Sequence, residues 1–375
     1  MTVAGARDTL QQLVEPLRAR LLRLIARPAF QQRAAGNPLL RPVARRRARA
    51  LFGQLSGFTT SWALAAAEEA GLLDRLAGGP VGLAELAARL DLPADGVLTL
   101  LEAARAAGLV RALGDDRWAL DEAGAALAGN PGARAMITHH RLLWADLADP
   151  LAVLRQPGGG ALARLWTYAG DGAAPEAGPA ADYSRLMALT QPLVAQQALA
   201  AWDFARHRAI LDVGGGEGAF LEAVATAAPQ PRLALFDLPE VAARARIRLA
   251  PLGSRVSIHA GDLRRDPLPE GCDCITLVRV LHDHDDAPAA AIVTAAARAL
   301  APGGTLLVVE PMAGDDADGR AVAGYFLPYL RAMGAGRPRR PDETAAMLRA
   351  AGLVRVRQRP TPMPLIASVL AGTKL

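Results

Sequence analysis

A short polar cluster lies in the stretch RVLHDHDD, residues 279–286, where two histidines and three aspartates follow the apolar run CDCITLV. Imidazole and carboxylate groups can bind a metal ion, transfer a proton, or form a solvated loop. His282 and His284 are two positions apart and diverge in an extended segment, and no nearby residues complete a spacing typical of zinc. We therefore expect no metal site. His282 is a candidate proton acceptor, and we interpret His284, Asp285 and Asp286 as a solvated loop that caps the next helix.

A glycine-rich turn in LDVGGGEGAF, residues 211–220, is the second feature that could do chemistry. Glycines let the backbone approach a ligand at positive φ, and the helix that begins behind them offers free N–H groups. Gly214, Gly216 and Ala219 fit the dinucleotide fingerprint, and Asp237 follows about twenty residues later, as that motif requires. On this motif alone, NAD and S-adenosylmethionine are both candidates.

Carboxylates at three successive strand ends favour S-adenosylmethionine. Asp212 directly precedes the glycines, where a carboxylate suits an ammonium or sulfonium better than a pyrophosphate. Asp237, in LFDLP, can accept both ribose hydroxyls of either cofactor, and Asp262, in HAGDL, can accept from an adenine amino group. Helix N-capping is the ordinary role of such aspartates, but it does not explain three in succession. The predicted cofactor-binding residues are Asp212, Gly214, Gly216, Gly218, Asp237, Leu238, Gly261, Asp262 and Leu263.

These residues must be positioned by a sheet, and the second half of the chain predicts one. Short apolar runs alternate there with helical segments; the runs are AILDV, LALFD, RVSIHA, CDCITLV, TLLVVE, VRVRQ and SVLAG. This alternation predicts an α/β fold with a doubly wound, mainly parallel, seven-stranded Rossmann-like sheet. Ligands of such sheets bind beyond the carboxyl ends of the strands, where the glycine turn and the acids lie.

The first half is predicted to be mostly helical. Residues 58–130 indicate a helix, a turn at Pro93, a second helix and a hairpin around GDD, which is the outline of a winged helix. The second helix is mostly leucine and alanine, so it offers little to phosphates or base edges. We predict a dimerisation surface and no nucleic-acid partner. A winged-helix transcriptional regulator with a ligand-binding domain is the alternative from another class.

Domain boundaries follow from changes in composition. A Gly-, Ala- and Pro-rich stretch at residues 156–181 predicts an inter-domain loop. We therefore predict a basic amphipathic extension at 1–50, a dimerisation domain with linker at 51–181, and a cofactor-binding catalytic domain at 182–375.

Charge is concentrated at the N-terminus. The first 50 residues hold eleven arginines against two acids, although the whole chain has a net charge of only +5. A basic amphipathic segment suits either an anionic membrane surface or a partner chain.

Cys272 and Cys274 indicate a reducing compartment, and we find no run typical of a transmembrane helix or a signal peptide. We expect a cytoplasmic protein that is either free or peripherally bound at the inner membrane.

Taken together, LDVGGGEG, FDLP, GDLRRDPLP and RVLHDHDD resemble the S-adenosylmethionine-dependent small-molecule O-methyltransferases of the caffeic acid and acetylserotonin type. The resemblance covers about residues 50–375 and implies a homodimer. The stretches NPLLRPVARRRARALF and YFLPYLRAMGAGRPR are similar to the branch that methylates hydroxyneurosporene or demethylspheroidene in bacterial carotenoid synthesis. The implied product is a methoxy carotenoid. Methylation of another pigment or a polyketide, on oxygen or carbon, is the alternative.

The resemblance also implies catalytic roles. His282 matches the histidine that serves the family as general base, with Asp283 beside it, and Glu310 in LLVVEPM matches the glutamate that orients this histidine. The chain departs from the family pattern at two positions. Pro338 stands where a second supporting glutamate is expected, and Val278 stands where a lysine is expected. A base with only one orienting carboxylate is therefore implied.

A carotenoid tertiary alcohol is long, apolar and weakly acidic, so its proton must leave during or after methyl transfer, and positioning carries most of the rate. Apolar and aromatic residues are candidates for the acceptor wall, although core packing is the alternative role for each. The predicted acceptor-binding residues are His140, Trp144, Met187, Phe326, Tyr329 and Met333. His139, Trp166 and Tyr168 are further candidates.

Overall fold

The chain folds into two compact units, Met1–Ala125 and Ala126–Leu375. A computed structural model describes the backbone of residues 3–165 and 177–375, and the side chains of residues 14–164 and 185–375. Within these ranges, no helix is both long enough and apolar enough to cross a membrane. The predicted wall residues Trp166 and Tyr168 lie outside the described residues.

The first unit is mainly helical and contains one small sheet. Its helices are α1 (Val3–Ile25), α2 (Pro28–Gly36), α3 (Arg41–Leu55), α4 (Gly57–Glu69), α5 (Leu72–Ala77), α6 (Leu83–Leu90), α7 (Ala94–Ala106) and α8 (Glu122–Ala128). Its strands are β1 (Val81–Gly82), β2 (Val110–Leu113) and β3 (Arg117–Leu120), paired antiparallel in the order β1-β3-β2. Two helices followed by a hairpin thus occupy the positions at which the sequence predicts them.

Helix α7 shows how this unit builds its core. Val97, Leu101 and Ala104 are fully buried and recur at helical spacing, so they form one apolar stripe. The single arginine of this helix, Arg105, is paired with Glu102 through its Nε and Nη2 atoms, at 2.9 and 2.6 Å. The charge on this helix is therefore largely neutralised within the helix.

Helices α1 to α3 lack a core of their own. No described side chain of these three helices is buried. Large apolar side chains remain exposed from α3 into α4, with exposed fractions of 70% at Phe52 and 75% at Phe58. Most helical stability in proteins comes from the packing of an apolar face. These helices therefore gain little stability from their own chain.

The second unit is a seven-stranded sheet flanked by helices. Its helices are α9 (Pro131–Leu147), α10 (Ala152–Arg155), α11 (Ala161–Leu165), α12 (Ala177–Ala201), α13 (Ala219–Ala227), α14 (Pro239–Leu249), α15 (Asp286–Ala299), α16 (Ala317–Met333) and α17 (Pro341–Ala350). Its strands are β4 (Ala209–Val213), β5 (Arg232–Asp237), β6 (Val256–Ala260), β7 (Cys274–Val278), β8 (Thr305–Glu310), β9 (Val354–Arg359) and β10 (Ser368–Thr373). The order is β6-β5-β4-β7-β8-β10-β9, and only β10 runs antiparallel to its neighbours. The predicted doubly wound, mainly parallel fold is confirmed.

Both faces of this sheet are buried, which explains why its strands are continuous apolar runs. In β4, Leu211 and Val213 pack into the core beneath α15 and α17, whereas Ile210 packs into the core beneath α12 and α13. Successive strand residues point to opposite faces, so one apolar run serves two cores.

The division between the units falls earlier than the sequence predicts. Helices α9 to α12 belong to the second unit, although we placed the start of the catalytic domain at residue 182. Their packing supplies the reason: α12 contributes Val194 and Ala198 to the core against the sheet, and α9 contributes Leu143 to a cluster with α16. These contacts join residues far apart in the chain, and composition does not reveal them.

Candidate active site

A cavity lies at the carboxyl ends of β4, β5, β6 and β7, with α12 along one side. It is lined by eight of the nine predicted cofactor-binding residues; these are Asp212, Gly214, Gly216, Asp237, Leu238, Gly261, Asp262 and Leu263. Parallel strands end at the same sheet edge, and that geometry gathers residues that are distant in sequence.

Two glycines of the turn after β4 are required by close contacts. Gly214 has a φ of 69°, and a Cβ atom there would lie 2.8 Å from Val280 Cγ2. Gly218 has a φ of 87°, and a Cβ atom would lie 2.6 Å from Leu249 Cδ1. Gly218 does not line the cavity; it precedes α13, where it lets α14 pack closely. Its observed role is therefore structural.

Asp212 is a fully buried carboxylate at the end of β4. Thr276 donates its hydroxyl to Asp212 Oδ1 at 2.6 Å, while Asp212 Oδ2 is buried and has no hydrogen-bond partner among the described residues. Burial raises the pKa of Asp212 to about 7. A buried acceptor without a donor is costly unless a ligand supplies one, so this oxygen indicates a binding position for a cation or a donor.

Asp237 holds the glycine turn in place. Its Oδ2 accepts from the Gly216 N–H at 2.8 Å, and its Oδ1 accepts from the Leu238 N–H at 2.7 Å. Burial raises its pKa to about 6, although these two hydrogen bonds oppose the shift. Each carboxylate oxygen has further lone pairs, so Asp237 can accept from ligand hydroxyls while it keeps the turn.

Asp262 accepts hydrogen bonds from a nearby arginine, Arg264. Arg264 Nε donates to Asp262 Oδ1 at 3.1 Å, and Arg264 Nη2 donates to Oδ2 at 3.0 Å. Burial would raise the pKa of Asp262, but the hydrogen bonds and positive charge of Arg264 outweigh it and lower the pKa. A ligand amino group must therefore share this carboxylate with a guanidinium, which the sequence did not indicate.

His282 lies between two carboxylates in the 3₁₀ turn Leu281–Asp283, directly after β7. Its Nδ1 is 3.4 Å from Glu310 Oε2, and its Nε2 is 3.3 Å from Asp283 Oδ1. Glu310 Oε2 also accepts from the His282 backbone N–H at 3.1 Å. Burial alone would lower the pKa of His282, but the Asp283 and Glu310 carboxylates outweigh it and raise the pKa. The structure thus brings together the three predicted catalytic residues.

The remaining residues of the polar cluster agree only in part with the predicted solvated loop, because Asp285 and Asp286 are exposed whereas His284 is not. His284 is half-buried and lines the cavity, and burial lowers its pKa to about 4. Asp285 precedes α15 but makes no side-chain cap; its Oδ1 accepts from the Gly336 N–H at 2.9 Å. Asp286 pairs with Arg337 and Arg339. The tail of the cluster therefore fixes the segment before α17, because buried donors in that segment need acceptors.

The predicted acceptor residues separate into two sets. Met187 lines the cavity, whereas His140, Trp144, Phe326, Tyr329 and Met333 do not. His140 bonds to the hydroxyl of Tyr325 at 2.7 Å, and Trp144 is half-buried on α9. The other three lie on α16. Phe326 has its ring 5.7 Å from that of His282, and Tyr329 and Met333 are buried in the cluster between α9 and α16.

Arg279 is a residue that sequence reasoning missed. It has a φ of 58°, uncommon for a residue with a side chain, and it lines the cavity. Its Nη1 donates to Thr190 Oγ1 at 2.8 Å, and its Nη2 contacts Met187 Sδ. This arginine therefore ties α12 to the end of β7. Its place three residues before His282 was the available signal.

The part of the chain that the structure describes contains no group of three or more histidine, cysteine, aspartate or glutamate residues arranged to hold a metal ion. Cys272 and Cys274 are both free and buried.

Comparison with known proteins assigns this arrangement to a family. Residues 144–354 match the O-methyltransferase domain family. The chain is 42% identical to the demethylspheroidene O-methyltransferase of Rhodobacter capsulatus over 89% of this chain and 84% of that protein. It is 39% identical to the enzyme of the same name from Cereibacter sphaeroides over 94% of both chains. The chain belongs to the O-methyltransferase family.

The fold is shared with solved members of this family. A methyltransferase of calicheamicin biosynthesis, in its SAH-bound form, superposes with a TM-score of 0.73 at 30% identity, covering 88% of this chain and 98% of that one. The protein is an S-adenosylmethionine-dependent O-methyltransferase.

The cavity of this O-methyltransferase suits S-adenosylmethionine. Asp212 Oδ2, buried and without a donor, fits the positive charge of the cofactor, and the glycine turn gives the ligand access to backbone. We expect Asp212 to face the cofactor's charged centre, Asp237 to accept from the ribose, and Asp262 with Leu263 to contact the adenine. The bound cofactor supplies an activated methyl group.

Cofactor affinity should depend on the ionisation of Asp212. With a pKa of about 7, Asp212 loses roughly eightfold of its ionised fraction between pH 7.5 and pH 6, so we expect the Kd for S-adenosylmethionine to rise by about that factor. Asp237, with a pKa of about 6, should add its own effect only near and below pH 6. Isothermal titration calorimetry across this range measures both.

Asp212→Asn is the matched variant, because its amide oxygen can still accept from Thr276. It should bind the cofactor more weakly, and its Kd should stay nearly constant between pH 7.5 and pH 6.5. Wild-type affinity in this variant, or a pH-independent Kd in the native enzyme, would contradict the assignment.

Proposed function

We propose that this enzyme transfers a methyl group from S-adenosylmethionine to a hydroxyl of a carotenoid, of the hydroxyneurosporene or demethylspheroidene type, giving a methoxy carotenoid. The observation that carries the proposal is similarity to two demethylspheroidene O-methyltransferases over 89% and 94% of this chain. That similarity extends beyond the matched domain at residues 144–354 into both units. The helices beside the cavity are therefore part of what is shared.

The surroundings of His282 support an apolar acceptor. The ring of Phe326 packs against His282, and Phe326 also packs against the apolar cluster formed by α9 and α16 side chains. Within this cluster His139 bonds to Tyr329 at 2.8 Å, and burial lowers the pKa of His139 to about 4, so it is neutral near pH 7. Apolar, uncharged surroundings of this kind beside His282 favour an apolar acceptor such as a polyene over a charged one.

The reaction requires alignment and one proton acceptor. Methyl transfer to oxygen is an in-line displacement, so holding both reactants in a dry site supplies much of the rate. A tertiary alcohol is too weakly acidic to ionise beforehand, and its proton must leave as the new bond forms. His282 is placed to take that proton, since it lies beside the cavity wall formed by Asp283 and His284.

The two carboxylates divide their roles by position. Glu310 lies 3.4 Å from Nδ1 of His282 and is fully buried, so its negative charge favours a proton on Nδ1. Nε2 is then the atom that accepts, and Asp283 lies 3.3 Å from it. Asp283 can stabilise the imidazolium that forms. It would thereby replace the second supporting glutamate of the family, whose position is occupied by Pro338.

Turnover with a defined set of acceptors tests the proposal. Labelled S-adenosylmethionine should methylate hydroxyneurosporene or demethylspheroidene in detergent micelles, with little transfer to bacteriochlorophyllides or simple phenols. His282→Ala should lose roughly 100-fold or more of kcat, the usual weight of a general base, while its Kd for the cofactor stays unchanged.

Preferred methylation of a phenol or a polyketide would reject the carotenoid acceptor. Full activity of His282→Ala with the preferred acceptor would reject His282 as the base. The two outcomes are independent, because the first concerns the acceptor site and the second concerns the proton.

An acceptor dissolved in the membrane would require the enzyme to reach the membrane surface, and the first unit has features that suit this function. We propose that residues 1–50 bind the anionic surface of the inner membrane from the cytoplasm, and that the exposed apolar side chains of α3 and α4 form a homodimer interface in a winged-helix half. Two observations support this: helices α1 to α3 bury no described side chain, and α3 carries five arginines. The side chains assigned to the dimer are Leu51, Phe52, Leu55, Phe58 and Trp62.

Separate variants should break the two contacts. Replacing Arg45, Arg46, Arg47 and Arg49 by Gln should abolish sedimentation with phosphatidylglycerol-containing vesicles, since each arginine near such a surface contributes about 1 kcal/mol. Phe58→Asp should convert a dimer to a monomer in light scattering. Ile247→Asp is the control, because Ile247 is 78% exposed, as open as Phe58 at 75%, but lies on α14.

Equal binding to neutral vesicles, or binding that persists in the arginine variant, would contradict the membrane proposal. A monomeric native protein, or a Phe58→Asp variant that stays dimeric, would contradict the dimer interface.

A further inference from the structure

Arg339 is buried more completely than is usual for an arginine. Its side chain is 0% exposed, and it is among the largest fully buried side chains described. A buried guanidinium is costly unless its donors are satisfied. A position of this kind therefore calls for an explanation from its partners.

Those partners bracket the turn that carries His282. Arg339 Nη1 donates to the Leu281 carbonyl at 2.6 Å, and Nη2 donates to the His284 carbonyl at 2.7 Å. Its Nε donates to Asp286 Oδ1 at 3.1 Å. One planar, rigid group thus fixes the residue before His282 and the residue two positions after it.

The backbone of Arg339 bonds to the segment that follows the strand of Glu310. Its carbonyl accepts from the Ala313 N–H at 2.9 Å, three residues beyond Glu310. Arg339 therefore connects the two chain segments whose separation sets the distance between His282 Nδ1 and Glu310 Oε2, 3.4 Å.

Gly336 completes the contact from the same segment. A Cβ atom at Gly336 would lie 2.2 Å from the His282 carbonyl oxygen, and its φ of 84° suits glycine. The segment before α17 thus presses its backbone directly against the turn, and Arg339 holds it there.

We infer that Arg339 is a positioning residue for catalysis: its guanidinium, bonded to the carbonyls on both sides of His282, holds the imidazole against Glu310. The inference rests on the proposed role of His282 as base. It also gives a function to the segment that lacks the family's second glutamate, because Arg339, the residue after Pro338, supports the histidine through its backbone in addition to Asp283.

Arg339→Ala tests this inference in the full-length enzyme with hydroxyneurosporene in detergent micelles. We expect kcat to fall roughly 100-fold, the usual effect of displacing a catalytic group by about 1 Å, while the Kd for S-adenosylmethionine stays unchanged. Added guanidinium chloride at millimolar concentration should restore part of kcat. Arg340→Ala is the matched control, since its side chain is 44% exposed and pairs with Asp315, and it should keep native kcat.

Native kcat in Arg339→Ala, loss of cofactor binding together with kcat, or absence of any guanidinium rescue would overturn the inference. Should Arg339→Ala not fold, Arg339→Lys decides. A single ammonium nitrogen cannot reproduce the fork in which separate nitrogens bond the two carbonyls and Asp286. A lower kcat with native cofactor affinity therefore supports the inference, and native kcat overturns it.

An acceptor-independent measurement separates this inference from the proposed function. In ¹⁵N-histidine spectra of the cofactor-free enzyme, the His282 ring signals should shift in Arg339→Ala and stay in place in Arg340→Ala. Unshifted signals would defeat the inference whatever the acceptor is. An active His282→Ala variant would instead defeat the proposed base.

Discussion

The contact between an imidazole and a buried carboxylate is the interaction on which this structure depends. Glu310 ends β8 and His282 follows β7, and these strands pair in parallel, so both groups reach the same sheet edge. In an apolar interior, burial favours the neutral ring and lowers a histidine pKa. Glu310 and Asp283 reverse that effect. The sheet therefore does more than support the site, since its register places beside His282 a carboxylate that raises the pKa of this proposed base.

On the cofactor side of the same sheet edge, burial shifts the pKa values of the carboxylates in the opposite direction. Asp212 and Asp237 have raised pKa values because burial disfavours their charged forms. A bound cation favours ionised carboxylates and, through its charge, disfavours a protonated histidine nearby. Cofactor binding is thus expected to ionise Asp212 and to lower the pKa of His282. Binding would then favour the neutral form of the histidine that we propose as the base.

The sequence predicts the parts of this site that follow from local pattern. Seven apolar runs became seven strands, and the residues around Asp212 and Asp237 came together because the carboxyl ends of parallel strands share one sheet edge. The rest depends on contacts between distant segments. Arg339 looks like any other arginine in an arginine-rich chain, and His284 looks like part of a charged loop. Their burial arises from tertiary packing, which neither periodicity nor composition encodes. The division of the units after Ala125, earlier than the predicted domain start at residue 182, has the same cause.

The titration of His282 tests the central claim most directly. In ¹⁵N-histidine spectra of the cofactor-free enzyme, the ring of His282 can be followed as a function of pH and identified by its loss in His282→Ala. Two flanking carboxylates that outweigh burial predict a midpoint above the ordinary histidine value of about 6.5. In Glu310→Gln the midpoint should fall. A native midpoint below about 6.5, or one that Glu310→Gln leaves unchanged, would contradict the account.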